Sequence, residues 1–188
     1  SAVGTYTLLV TNTLNGCTAV SSVDVTADQN IPTALAAPPA TLTCSVLDVM
    51  IDATASSSGP TFTYTWTGPS PGSIIGGQGT LTPTVNAPGT YTLNLLNNAN
   101  SCFATLSVIV PQDILPPTAD AGQDATLNCV VPTLNLDGSA SSTGPNFTYL
   151  WTASGGGNIT GGANGLTPTV DMAGTYNLLV TNLSNGCT

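Results

Sequence analysis

Apolar and polar residues alternate along much of the chain, which is the pattern of β-strands that bury one face. Phe62–Thr67 is the clearest case, because Phe, Tyr and Trp alternate there with Thr. Residues 90–98 and 102–110 alternate in the same way, and Gly and Pro separate the runs. No segment has the period of a helix. The pattern therefore predicts an all-β fold.

One complete unit of this pattern contains about seven short strands, which favours an immunoglobulin-like Greek-key β-sandwich. Trp66 shares its predicted face with Phe62 and Tyr64, so we expect it in the core. Gly-Thr-Tyr at the start of the sixth strand predicts a tyrosine corner, in which the phenol hydroxyl bonds to nearby backbone. The predicted strands are residues 33–37 with 41–44, then 46–54, 62–67, 73–75, 81–85, 90–98 and 102–110.

The chain repeats itself every 85 residues. Gly-Thr-Tyr begins at Gly4, Gly89 and Gly174, and residues 31–103 align with 116–188 without a gap at about half identity. The cysteines keep the same step, in one series of Cys17, Cys102 and Cys187 and a second of Cys44 and Cys129. A fixed period of this kind predicts a tandem array of structural units.

The register of the repeat divides the chain into three segments. Residues 1–30 are the C-terminal part of one unit, 31–115 are a complete unit, and 116–188 are a unit without its last strand. We expect the chain to be a window of a longer array. Strand exchange between subunits is the competing interpretation, but residues 1–18, of which 12 match residues 171–188, would then duplicate a strand that is already present.

Composition narrows the function classes. The chain has no Lys, Arg or His, and its net charge is −9. Such a surface repels phosphate backbones and anionic lipid headgroups, so we expect no nucleic-acid partner. No apolar run is long enough to cross a membrane, and we expect no direct membrane insertion.

The two cysteine series predict disulfides. Cys44 with Cys102 and Cys129 with Cys187 share one spacing, and Cys17 would pair with a cysteine upstream. Their placement differs from that of antibody domains, where the second Cys lies two residues after the corner Tyr. Free buried thiols are the alternative, and a bridge between neighbouring units or chains stays open because sequence does not fix connectivity.

Two stretches resemble known families of extracellular repeats. Residues 118–142, from Thr-Ala-Asp-Ala-Gly-Gln-Asp to Leu-Asp-Gly-Ser-Ala-Ser-Ser, resemble the opening of a PKD (polycystic-kidney-disease-type) domain. Residues 4–25, with Gly-Thr-Tyr and Asn-Gly-Cys-Thr, resemble the SprB-type repeats of giant surface adhesins of gliding Bacteroidetes. The Trp-Asp-Phe-Gly-Asp-Gly signature of many PKD domains is absent. The resemblance implies PKD-like units in a secreted or cell-surface array, exported by a type IX-like route.

Calcium is the one cofactor for which the sequence offers ligands. Asp28 and Asp113 occupy the same phase at the two unit junctions, with Asp120 and Asp124 just beyond the second. Carboxylates at domain junctions bind Ca²⁺ in many extracellular arrays. However, Asp120 and Asp124 have no counterparts in the preceding unit. Solvated linker carboxylates are therefore the favoured interpretation, and we expect no cofactor.

Catalytic chemistry lacks its usual groups. General acid–base and nucleophilic mechanisms draw mainly on His, Glu, Lys or a partnered Ser or Cys, and this chain offers only Asp and a few Tyr. We expect no enzyme. The sequence favours the filament or stalk of a bacterial cell-surface adhesin, whose partners are neighbouring repeats or copies of itself. The alternative is an accessory array of a secreted hydrolase that binds surface glycans or proteins.

Overall fold

Every regular element of residues 2–188, the part of the chain that the computed structural model describes, is a β-strand. The all-β prediction is confirmed. No hydrogen-bonded sheet crosses from one of the segments 1–30, 31–115 and 116–188 into another. We call these segments the first, second and third unit; their boundaries stay predictions.

The first unit contributes a single β-hairpin. Strand β1 (Gly4–Thr11) pairs antiparallel with β2 (Thr18–Val25), from Gly4 opposite Val25 to Thr11 opposite Thr18. All residues of both strands are exposed. The hairpin therefore presents apolar side chains on both faces to solvent.

The second unit is a two-sheet sandwich. One sheet has the strand order β5-β8-β9 and the other β4-β7-β6, while β3 and β10 form a short parallel pair. This division of strands is the Greek-key arrangement of an immunoglobulin-like domain. Its strands are β3 (Leu42–Thr43), β4 (Val49–Met50), β5 (Phe62–Thr67), β6 (Ile74–Gly76), β7 (Thr84–Val85), β8 (Gly89–Asn97), β9 (Phe103–Val110) and β10 (Gln112–Asp113).

The core of this sandwich follows from the alternation in the sequence. Trp66 of β5 lies opposite Leu93 of β8, and both are fully buried. The indole Nε1 of Trp66 donates to the carbonyl oxygen of Thr80 at 2.9 Å, so the ring is buried without an unpaired donor. Val108 and Val110 of β9 close the same core. The predicted inward position of Trp66 is confirmed.

The third unit repeats the sandwich with one strand fewer. Its sheets have the orders β12-β15 and β11-β14-β13, and within residues 2–188 no strand pairs with the outer edge of β15. Trp151 is buried like Trp66, and its Nε1 donates to Gly165 O at 3.0 Å. The strands are β11 (Leu134–Asn135), β12 (Phe147–Ser154), β13 (Asn158–Gly161), β14 (Thr169–Met172) and β15 (Thr175–Asn182).

The first half of the unit is less regular than the sequence predicts. Residues 33–37 form no strand, and of residues 46–54 only Val49–Met50 is a regular strand. The reason is that side-chain hydroxyls take the place of the backbone acceptors of a neighbouring strand. Thr33 N and Leu35 N donate to the hydroxyls of Ser57 and Ser56. Such local side-chain bonds compete with sheet pairing.

The predicted tyrosine corner is confirmed in all three units. The hydroxyl of Tyr91 donates to Ala87 O at 2.8 Å, and those of Tyr6 and Tyr176 donate to the carbonyls of Ala2 and Met172 four residues earlier. The environments differ, because Tyr91 is 0% exposed whereas Tyr6 is 48% exposed.

We predict that Tyr91→Phe lowers the free energy of unfolding of the second unit by roughly 1–3 kcal/mol, since a buried acceptor loses its donor. Tyr6→Phe removes the same bond in a solvated hairpin and serves as the control, with an effect within the error of the measurement. Denaturant titration followed by far-UV circular dichroism, which reports on the strands of all three units, measures both. Equal effects of the two substitutions would contradict the account of burial.

Candidate functional site

The turn that follows the Gly-Thr-Tyr strand, β1, β8 or β15, has the same geometry in all three units. We call this turn the tip. In the third unit Asn182 N donates to Cys187 O at 2.9 Å, and Gly186 N donates back to Asn182 O at 2.8 Å. The Asn185 side chain closes the turn, because its Oδ1 accepts from Cys187 N at 3.0 Å. Asn15 and Asn100 accept from Cys17 N and Cys102 N in the same way.

The second unit offers a platform for this tip at its C-terminal end. Strands β3 and β10 lie side by side there, with Thr43 opposite Asp113. The Thr43 hydroxyl accepts from the backbone N–H groups of Ser45 and Val46 at 3.2 and 3.0 Å. These bonds fix the turn that carries Cys44.

The tip of the third unit docks on that platform. The Nδ2 of Asn185 donates to Asp113 Oδ1 at 2.9 Å and to Leu115 O at 3.0 Å. Asn185 is only 1% exposed, so its amide is satisfied entirely by protein groups. Gly186 passes so close to the platform that an added Cβ would lie 2.6 Å from atoms of Ser45, and its φ of 70° also favours glycine.

A disulfide between Cys44 and Cys187 closes this contact. Their Cα atoms are 5.1 Å apart, and Cys187 is 2% exposed. The bridge joins the second unit to the third across 143 residues of chain. We call the docked tip, its platform and this bridge the clasp.

The predicted pairings Cys44–Cys102 and Cys129–Cys187 are wrong in this structure. Cys44 follows β3 at the C-terminal end of the second unit, whereas Cys102 precedes β9 at the opposite end. Strand β9 alone separates the two ends by roughly 23 Å, far beyond the reach of a disulfide. The bridge between neighbouring units, which the sequence left open, is the one that forms.

The junction of the first and second units has hydrogen bonds like those of the clasp. Asn100 Nδ2 donates to Asn30 O at 3.0 Å, and Asn30 N donates to Asp28 Oδ1 at 3.1 Å. Hydrogen bonds from the Asn30 backbone and then from the Asn100 side chain lower the pKa of Asp28 below its ordinary value of 3.8. Asp28 and Asn100 are therefore the counterparts of Asp113 and Asn185.

The other cysteines are free thiols. Cys17 and Cys129 are exposed and Cys102 is partly exposed. The turn that carries Cys129 is nevertheless built like that of Cys44: Asn128 Oδ1 accepts from Val130 N and Val131 N, both at 2.9 Å. The chain thus presents a second preformed platform turn at Cys129 and two further tips at Cys17 and Cys102.

Three of the four carboxylates named for calcium, those of Asp28, Asp113 and Asp120, accept hydrogen bonds. Asp113 accepts from Asn185, and Asp120 Oδ1 accepts from Gly122 N at 2.7 Å. Among residues 2–188 no three Cys or Asp side chains come together as a metal-binding group. The weak calcium candidates Asp28, Asp113, Asp120 and Asp124 therefore form no ligand cluster in the described residues, and the absence of a cofactor stays an untested expectation.

Sequence reasoning missed the asparagines of the clasp. Asn15, Asn100 and Asn185 keep the 85-residue phase, and that was the available signal. It is weak, because the chain is rich in Asn and the same residue also suits a hairpin turn.

In the described residues no helix has the length and apolarity to cross a membrane.

Comparisons with known proteins give no family. No protein-family model matches the chain, and no curated protein is significantly similar to it. The human desmocollin-1 ectodomain is 12% identical with a TM-score of 0.36 and covers 90% of this chain and 37% of its own. Sidekick-1 immunoglobulin domains 1–5 are 10% identical with a TM-score of 0.37 and cover 96% and 46%. The chain spans less than half of either structure, and the fold assignment rests on its own strand order.

We predict that Asn185→Ala costs roughly 1–3 kcal/mol more than Asn15→Ala in the free energy of unfolding, because of these two only the buried Asn185 also binds the preceding unit, one of its acceptors being the charged Asp113. Asn15 closes the same turn in an exposed hairpin and is the matched control. Denaturant unfolding with the disulfide intact measures the difference. Equal costs would show that the amide serves its own turn alone.

We predict that the hydrogen bonds on Asp28 stabilise the first junction above pH 3.8, and that this contribution is lost as the pH falls through the lowered pKa of the folded state. An NMR titration of the Asp28 carboxyl carbon should therefore have its midpoint below 3.8. Asn100→Ala should raise the midpoint, while Asn98→Ala on the same hairpin should not. An unchanged midpoint in Asn100→Ala would refute the contact.

Proposed function

We propose that the chain is part of an extracellular structural stalk or filament of the kind that carries cell-surface adhesins. The observation that carries the proposal is the clasp, because it joins two units covalently where a tandem array usually has only a linker. Relative motion of neighbouring domains is the default unless their interface is large. A buried amide and a disulfide at the junction restrict that motion.

The bridge also changes how the chain bears tension. A pulling force that enters at Cys44 passes through the sulfur atoms to Cys187, so the chain between them carries no load. The bypassed segment, residues 45–186, includes most of the second unit and nearly all of the third. A stalk built in this way keeps its length even when one of its units unfolds.

The location outside the cell is supported by the same chemistry. Disulfides persist in oxidising compartments and are rare in the cytosol. The absence of Lys and Arg removes every cleavage site for trypsin-like proteases, which suits an exposed protein. The finer assignment, a PKD-like and SprB-type bacterial adhesin exported by a type IX-like route, rests on the resemblance of residues 118–142 and 4–25.

A role in binding glycans or in catalysis has less support. Glycan platforms need exposed aromatic rings, and Trp66 and Trp151 are both buried. The one carboxylate of the clasp, Asp113, accepts a hydrogen bond from the Asn185 amide, and the other side chains of the clasp are amide, hydroxyl and disulfide. We therefore propose a non-enzymatic, load-bearing role.

Single-molecule pulling from the two termini tests this role. We predict that the oxidised chain releases no length from residues 45–186, whereas Cys187→Ser releases a further contour length of roughly 480 Å at about 3.4 Å per residue. Cys102→Ser is the matched control and should pull like the parent chain. Release of the full length by the oxidised parent chain would refute the load-bearing role.

A further inference from the structure

Strand β9 is an edge of its sheet in the second unit. It pairs with β8 on one side only, from Leu96 opposite Phe103 to Gly89 opposite Val110. Within residues 2–188 no strand pairs with its other side, and the next backbone bond there runs from Leu42 N to Pro111 O, at 3.0 Å, just beyond the strand. This edge belongs to a sandwich with both sheets formed, and it lies in the interior of the chain.

The hydrogen-bond pattern tells which backbone groups of β9 face outward. Asn97 N donates to Cys102 O at 2.8 Å, and in an antiparallel pair the bonded positions recur at every second residue. The N–H and C=O groups of Ala104, Leu106 and Val108 therefore point toward β8. Those of the alternate residues point away from the sheet: Phe103, Thr105, Ser107 and Ile109. The edge thus presents a row of donors and acceptors.

The opposite edge of the same sheet is protected. On β5 the outward carbonyl of Trp66 accepts from Gln78 Nε2 at 3.2 Å, and Phe62 N donates to Gly59 O at 3.2 Å. Proteins commonly protect edge strands with charged side chains, Lys above all, or with a covering segment. Strand β9 reads Phe-Ala-Thr-Leu-Ser-Val-Ile-Val and carries no charge. It is therefore a template for a further strand.

The sequence of β9 is complementary to a copy of itself. When two copies run antiparallel with Leu106 opposite Leu106, Phe103 faces Ile109 and Thr105 faces Ser107. Every outward N–H and C=O of both strands then meets a partner. A shift of one residue sets outward groups opposite inward ones, and a shift of two leaves pairs unmade. One register is therefore favoured.

We propose that two copies of this chain associate through this edge, β9 against β9, in that register. The three-stranded sheets of the two copies join into one continuous sheet. The contact uses the same surface on both copies, so it closes at a dimer. It joins two stalks side by side, which goes beyond the proposed role of a single chain.

The side chains of the outer face fit this register. Phe103 is 60% and Ile109 is 69% exposed in the single chain, and the dimer places each beside the other, twice. A pair of an aromatic and a β-branched side chain stabilises neighbouring strands. Ser107 Oγ lies 3.2 Å from Thr92 Oγ1, and Thr105 of the second copy extends this row of hydroxyls. No charge faces another across the contact.

The choice of a second copy as the occupant depends on these side chains, because any strand can use the backbone groups. Strand β2 is the counterpart of β9 in the first unit, with Thr18 in the place of Phe103 and Asp24 in the place of Ile109. The same register in β2 would set Thr18 opposite Asp24. The apolar pair belongs to β9 alone, so we expect two copies to meet at their second units.

Sedimentation velocity over a concentration series tests the dimer on the whole chain. The substitutions Cys17→Ser, Cys102→Ser and Cys129→Ser prevent disulfides between copies. We expect the weight-average mass to rise from that of the monomer toward that of the dimer. Because each copy has a net charge of −9, added salt should strengthen the association.

Two variants of β9 test the register and the backbone pairing. Ile109→Asp should weaken the dimer roughly tenfold, because the Phe103–Ile109 pair occurs twice in it. Thr65→Asp is the matched control, since it adds the same charge to the same exposed face on β5 and should leave the dimer almost unchanged. Thr105→Pro removes an outward N–H, which an edge strand tolerates, and should abolish the dimer. Far-UV circular dichroism should show the parent fold in all three variants.

Amide hydrogen exchange followed by NMR identifies the contact. The outward N–H groups of β9 should exchange more slowly in the dimer, whereas the inward ones, which bond to β8, should be slow in both states. A chain that stays monomeric over the whole series would overturn the proposal. So would equal effects of Ile109→Asp and Thr65→Asp, an intact dimer in Thr105→Pro, or unchanged exchange of the outward groups. The stalk proposal would survive these results, since pulling on a single chain tests it.

Discussion

The docking of one hairpin tip on the preceding unit is the contact on which the arrangement of the array depends. The amide of Asn185 serves both sides of it: Oδ1 closes its own turn on Cys187 N, and Nδ2 binds Asp113 and Leu115. A single side chain thus links the local geometry of a turn to the placement of the neighbouring unit. The disulfide between Cys44 and Cys187 links the same two surfaces covalently.

The absence of cationic side chains explains why an amide has this role. With no Lys, Arg or His, an Asp at a junction has no salt-bridge partner, and the remaining donors are amides, hydroxyls and backbone N–H groups. The chain uses them thoroughly, since every buried side-chain N or O atom of residues 2–188 has a hydrogen-bond partner. The hydrogen bonds at the junctions between units therefore come from short polar side chains and the backbone. They are not ion pairs, which charge screening weakens at a protein surface.

Periodicity in the sequence predicts the sandwich well and the bridges poorly, for one physical reason. Alternation places Trp66, Tyr91 and the strand Phe62–Thr67 correctly, because burial of one face acts within a single strand. A disulfide depends on how whole units are stacked. Spacings of 58 and 143 residues differ by one period of 85, so the phase of the cysteines fits both pairings equally. The length of β9 decides between the two pairings, because Cys44 and Cys102 lie near its opposite ends. Only the fold reveals these positions.

Disulfide mapping of the non-reduced chain tests the clasp most directly. A protease that cleaves before Asp separates all five cysteines, because Asp24, Asp28, Asp48, Asp52, Asp113, Asp120, Asp124, Asp137 and Asp171 divide the chain between them. Mass spectrometry should find the fragment 28–47 joined to 171–188. A fragment 28–47 joined to 52–112, together with 124–136 joined to 171–188, would place the bridges within units and contradict the clasp.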